Sequence, residues 1–257
     1  MSGADNQLIF QNCSIGRGNI SFFEQFSVEI SSGVVVLLGG NGTGKSTLFY
    51  TLLREIPLLQ GEILLNSKSI TTYTRLELAK MFSFLLTTRV FDDFLTVKEC
   101  LELGRFPFRS SMKQLGSEDQ SIISQYIELF KLAPFLSRRF GQLSDGEKQR
   151  ILIARAFIQD TPFLFLDEPG NFLDVKHRLE LFLQIRRIAQ EKNKVIIFST
   201  HDIEAVAKIF STFWLVDRLK CKVIVGDRNI FTTEEFKRNF TSDKISFSSE
   251  LYTFQFS

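Results

Sequence analysis

Cysteine, histidine and long apolar runs are all scarce in this chain. The three cysteines, Cys13, Cys100 and Cys221, are odd in number, far apart and without metal-ligand spacing. That excludes a disulfide framework or a structural zinc site and predicts reduced thiols in a cytosolic compartment. No apolar run approaches the ~20 residues needed to cross a bilayer, and none follows the polar opening Met1-Ser2-Gly3-Ala4-Asp5-Asn6. Any attachment to a membrane is therefore expected to run through a partner. Excess charge is missing too: the net charge is +2 with no dense Lys/Arg run, so nucleic acid is not expected as a partner. No internal repeat or low-complexity linker interrupts the sequence.

What is present is a large apolar complement. The 257 residues are 44% hydrophobic and 23% charged, enough for one large α/β domain or one domain with an inserted lobe. The 28 phenylalanines mostly stand where Leu or Ile would serve, so they read as core filling. Short apolar runs alternate with helical patterns, which predicts a mostly parallel sheet covered by helices. Strands are expected at residues 8–11, 34–38, 62–65, 83–86, 163–166, 195–199, 212–216 and 222–225. Between residues 86 and 163 the pattern is helical, at 96–103, 118–130 and 146–159, which predicts a helical lobe inserted into the sheet domain. The last residues, 241–257, alternate apolar and polar positions through Ile245, Phe247, Leu251, Phe254 and Phe256, as an edge strand or a cover for a helix face would.

Three segments carry chemistry. The first is Gly39-Gly40-Asn41-Gly42-Thr43-Gly44-Lys45-Ser46-Thr47, directly after the apolar run Val34-Val35-Val36-Leu37-Leu38 and before a helical pattern. Strand, glycine loop and helix in that order make a phosphate cradle. Backbone N–H groups point inward, the helix start presents its positive end, Lys45 brings charge to the β/γ oxygens and the Ser46 hydroxyl is placed for Mg²⁺. The second is Phe163-Leu164-Phe165-Leu166-Asp167-Glu168-Pro169, a buried strand ending in two carboxylates. Asp167 is expected to hold Mg²⁺ opposite Ser46, and Glu168 to face an attacking water. The third is Ser199-Thr200-His201-Asp202 after another apolar run, where His201 is expected to reach a γ-phosphate. The other histidine, His177, reads as structural.

A fourth segment, Leu143-Ser144-Asp145-Gly146-Glu147-Lys148-Gln149-Arg150, resembles the signature sequence of ATP-binding cassette proteins. With the glycine loop, the Asp167-Glu168 strand end, Phe172-Leu173-Asp174 and His201, the resemblance covers roughly residues 8–240. It implies an α/β P-loop fold with a mixed sheet core (about 1–87 and 160–240), an inserted helical lobe (about 88–159) and a tail (241–257). It also implies ATP and Mg²⁺ as cofactors, with Glu168, His201 and Lys45 catalytic. Ser144 and Gly146 would complete the site of an opposite subunit, in a head-to-tail homodimer with two composite sites.

Thr96-Val97-Lys98-Glu99, Leu103-Gly104-Arg105-Phe106-Pro107-Phe108, residues 61–66 and residues 156–162 look like the ATPase subunits of importers for iron-siderophores, haem and vitamin B12. That implies integral-membrane permease subunits as partners, a substrate-binding protein indirectly, and a place at the cytoplasmic face of the membrane. Phe91, Phe94, Phe106 and Phe108 would contact the permease or fill the lobe core. The alternative is a non-transport cassette used as an ATP-driven dimerisation switch. The sequence departs from the family pattern at five residues. Arg17 stands where an aromatic ring usually stacks on adenine, with Phe22 or Phe23 as substitutes if the loop shifts. Thr87 stands where glutamine is usual and, being shorter, is expected to need a water that bridges it, or Thr88 beside it, to the metal site. Gly40 replaces a proline, and Gly170-Asn171 follows Pro169.

Overall fold

The computed structural model describes residues 6–18, 20–87, 92–109 and 115–256. Thr88 and Phe91, both named above, lie outside them. The chain runs β1 (Leu8–Arg17), β2 (Ile20–Ile30), β3 (Gly33–Leu38), α1 (Lys45–Leu52), β4 (Gln60–Leu65), β5 (Lys68–Ser69), α2 (Arg75–Met81) and β6 (Phe82–Leu85). Next come α3 (Val97–Glu102), α4 (Ser117–Leu129) and α5 (Asp145–Ile158), with no strand among the described residues of this stretch. The chain then returns to the sheet with β7 (Phe163–Leu166), α6 (Val175–Glu191), β8 (Val195–Ser199), α7 (Ile203–Ile209), β9 (Phe213–Asp217) and β10 (Lys222–Gly226). It ends with α8 (Glu234–Phe240), β11 (Ile245–Ser248) and β12 (Thr253–Phe256).

Six strands form the central sheet in the order β10-β9-β3-β8-β7-β6. The five strands from β9 to β6 are parallel, and only β10 runs the other way. Continuous apolar runs suit this sheet because both of its faces are buried. Val35, Leu37, Phe163, Phe165, Val195 and Ile197 face one core, and Val36, Leu38, Leu164, Leu166, Ile196 and Phe198 face the other. The first core is closed by a smaller antiparallel sheet, β2-β1-β4-β5, together with α1 and α2; the second holds α3 to α8. Each phenylalanine fully buried here contributes roughly 1.5–3 kcal/mol, which is why Phe49, Phe157, Phe165, Phe182 and Phe198 serve as core.

β1 and β2 are longer than the apolar pattern suggests, and β2 was not expected. Bulges explain both. The β1–β2 register shifts between Phe10 and Cys13 and twice more before Gly16, and Asn12 and Gln25 take φ of 47° and 51°. Each bulge interrupts the period-two alternation that marks a strand. The tail forms a hairpin of its own, and Phe247 packs 5.2 Å and 5.4 Å from the rings of Phe236 and Phe231. It therefore covers α8 and adds no strand to the main sheet. Cys13 and Cys100 are buried, and burial pushes their thiols up to about 11 and about 12. No helix among the described residues is long and apolar enough to cross a membrane.

Candidate functional site

Because β3, β8, β7 and β6 are parallel neighbours, their carboxyl ends gather on one edge of the sheet, where ligands of parallel sheets bind. Four segments leave that edge side by side: residues 39–47 after β3, Asp167-Glu168 after β7, Ser199 to His201 at the end of β8, and Thr87 after β6.

The glycine loop turns through left-handed backbone at Gly42 (φ 71°) and Gly44 (φ 101°). A Cβ at Gly44 would meet Phe22 Cβ at 2.5 Å, so only glycine fits under that ring. Thr43 Oγ1 donates to Gly40 O at 3.0 Å, and Lys45 Nζ donates to Gly39 O at 2.7 Å and Gly40 O at 2.9 Å. Burial lowers the Lys45 pKa, against the opposing charges of Glu168 and Asp167. The loop is followed at once by α1, whose unpaired N–H groups carry partial positive charge. Asn41 is exposed at the loop tip, and Thr47 accepts a hydrogen bond at its backbone oxygen from Thr51 Oγ1.

Asp167 is the centre of the polar network. Its Oδ2 accepts from Ser46 Oγ and from Thr87 Oγ1, both at 2.6 Å, and its Oδ1 accepts from Ser199 Oγ at 2.6 Å. A hydroxyl, a carboxylate and a second hydroxyl form a hard oxygen set, the donor chemistry that suits Mg²⁺. Thr87 thus bonds directly to Asp167. Its bond is one of three on Asp167, so Thr87→Ala should slow basal ATP hydrolysis by up to about tenfold, or about 1.4 kcal/mol, without abolishing it. A steady-state assay on the purified chain checks this, and complete loss of activity would contradict it.

Glu168 points elsewhere. Its φ of 50° lies in the left-handed region, which turns the side chain away from its neighbour Asp167. Ser199 Oγ accepts from Glu168 N at 2.9 Å, and Gln149 Nε2 donates to the carbonyl of Pro169 at 3.0 Å, so the turn is held from two sides. Glu168 Oε1 lies 2.8 Å from His201 Nε2, a close contact without hydrogen-bond alignment. Burial pushes the Glu168 carboxyl up to about 7, with Lys45 opposing and Asp167 adding to the rise. Burial and the charge of Lys45 hold the imidazole below its ordinary value, so His201 is neutral at pH 7. A neutral imidazole beside a carboxyl that titrates near neutrality is suited to general base chemistry on a bound water.

Phe22 lines the cleft with residues 41–47, whereas Arg17 does not. Arg17 ends β1 paired with Ile20 in the hairpin, exposed to solvent, so the ring beside the phosphate loop is Phe22. The Arg218 guanidinium lies 4.7 Å from the centre of that ring, and Phe23 is fully buried. Ser144 caps α5 through a reciprocal capping box with Glu147, and Gly146 abuts the Phe172 carbonyl, which a Cβ would meet at 2.9 Å. Neither Ser144 nor Gly146 lines the cleft of its own chain. Ser199 and Gln149 are contributors that the sequence motifs contain without revealing their partners.

Residues 23–171 match the ABC transporter family. An uncharacterized ABC transporter ATP-binding protein of Methanocaldococcus jannaschii is 35% identical over 225 residues, which span 87% of this chain and 78% of that protein. The iron(3+)-hydroxamate import ATP-binding protein FhuC of Bacillus subtilis is 34% identical over 204 residues, 79% of this chain and 76% of its own length. Among solved structures, a chain of a metal-chelate type ABC transporter in an inward-facing conformation superposes with a TM-score of 0.78 at 25% identity, over 98% of this chain and 97% of that one. With the phosphate loop, the paired acids and the histidine on one sheet edge, the chain belongs to the ABC transporter family as an ATP-binding subunit, an ATP hydrolase.

Proposed function

We propose that this chain energises import of an iron chelate, haem or corrinoid-type substrate, working as a head-to-tail homodimer under integral-membrane permease subunits. The observation that carries the catalytic part is the division of labour between adjacent acids: three hydroxyls hold Asp167, while Glu168 faces His201. Residues 39–47 hold the ATP phosphates, and Lys45 brings its charge to the β/γ oxygens. Ser46 and Asp167 hold Mg²⁺, which supplies neutralisation of phosphate charge. Glu168 orients the attacking water and takes its proton, and His201 contacts the γ-phosphate as charge develops. Phe22 is the ring available to the adenine base.

That Ser144 and Gly146 do not line their own cleft supports a second subunit, whose nucleotide they would close over. Permease docking is supported by the groove lined by Leu78, Phe82, Phe84 and Pro107. Beside it Phe106 is 67% exposed, and Phe94 is 77% exposed, too open for lobe core. Phe108 is partly covered by Arg105, whose guanidinium lies 4.2 Å from its ring. Such an arrangement would leave the chain peripheral at the cytoplasmic face and contact a substrate-binding protein only through the permease. The substrate class rests on the relatives that import iron(3+)-hydroxamate or belong to a metal-chelate type transporter.

The test is uptake of a radio-iron hydroxamate by cells lacking this gene. Uptake should be lost, restored by the wild-type chain and not by Glu168→Gln. Should uptake of iron-hydroxamate, haem and cobalamin all persist in the deletion strain, the importer assignment is wrong.

A further inference from the structure

Arg178, in the first turn of α6, places its Nε 2.7 Å from Asp202 Oδ2, an ion-pair contact without hydrogen-bond alignment. Asp202 follows His201 directly and forms the centre of a tight turn. Its φ and ψ are −85° and 71°, and Ile203 N donates to His201 O at 3.0 Å, which is the geometry of an inverse γ-turn. The other carboxylate oxygen, Oδ1, accepts from Ala205 N at 3.3 Å and caps α7. The His201 imidazole therefore leaves the backbone next to a turn residue whose carboxylate meets an arginine at one oxygen and a helix start at the other.

The arginine stem also crosses the turn after Glu168. A Cβ at Gly170 would stand 2.8 Å from Arg178 Cδ and 3.0 Å from Cγ, so a larger residue there would displace the stem. We propose that Arg178 is a positioning residue for hydrolysis: it clamps the Asp202 turn so that His201 faces Glu168, and Gly170 leaves room for it. The pair is partly exposed, with 31% of the Arg178 side chain and 22% of that of Asp202 in solvent. An ion pair of that exposure adds little to folding stability, so its loss should appear in turnover and not in melting. This inference rests on the role proposed for His201.

Four measurements on the full-length chain test it. Arg178→Ala should lower kcat for ATP by about tenfold with KM within about twofold of wild type and an unchanged melting temperature. Arg178→Lys, which keeps a cation, should recover part of the loss. Gly170→Ala should lower kcat in the wild-type background and add nothing in the Arg178→Ala background, where the stem it displaces is gone. In a His201→Ala background, Arg178→Ala should likewise add nothing. Wild-type kcat in Arg178→Ala, with kcat lost in His201→Ala, overturns this inference alone, as do losses at the two positions that multiply. Full turnover in His201→Ala overturns the histidine's role and this inference together.

Discussion

Glu168→Gln should bind ATP as the wild-type chain does while its turnover falls by about 10²–10³, the range a general base contributes. Glutamine keeps the shape of the turn, because Ser199 and Gln149 hold the backbone there and an amide oxygen can still accept the hydrogen bond that the carboxyl takes from the His201 backbone. What it loses is the basic oxygen proposed to take the proton of water. Hydrolysis within a few-fold of wild type at saturating Mg-ATP would remove Glu168 from the mechanism. The pH profile makes the same point independently. With the carboxyl raised to about 7 in the free subunit, the active ionised form is lost as pH falls through that value. The rate constant kcat/KM, which reports the free enzyme, should therefore be level above about pH 7 and fall tenfold per unit below it. His201 is held below its ordinary value, so its protonation comes at lower pH than the onset of this limb. The residual activity of Glu168→Gln should lack the limb.

The second large effect separates a chain's own site from the one it completes. Lys45→Ala removes the charge proposed to bind the phosphates, and Ser144→Arg fills the helix start with bulk. Each homodimer should lose at least about 10²-fold in turnover, because both of its composite sites are damaged. Mixed together, the two variants form a heterodimer in which one composite site carries both lesions and the other carries none. That mixture should recover ATP-driven closure and part of the hydrolysis. If the heterodimer closes no better than either homodimer, Ser144 does not act on the opposite subunit's nucleotide.

The position of the candidate site was legible in the sequence wherever a polar residue ends an apolar run. Asp167 and His201 follow runs that became β7 and β8 over the expected residues, and the three inserted helices lie within one residue of their expected ends. What escaped depends on contacts between distant segments. Ser199 stands 32 residues from the Asp167 it holds, and nothing about a serine ending a strand announces that partner. The bond from Thr87 to Asp167 is of the same kind: parallel pairing of β6 with β7 brings the two segments together, which a short side chain 80 residues away does not announce. Arg17 matched the usual aromatic position by sequence register alone. The bulged β1–β2 hairpin leaves it paired with Ile20 and swings Phe22 over Gly44, a displacement that alternation could not reveal.

The most direct test is the solution mass of Glu168→Gln with saturating Mg-ATP, measured by light scattering. Closure of two chains over two nucleotides that cannot be hydrolysed should give about twice the 29.6 kDa of the chain, returning to monomer when ADP replaces ATP. A variant that binds ATP but stays at the monomer mass at every nucleotide concentration would contradict the composite-site account.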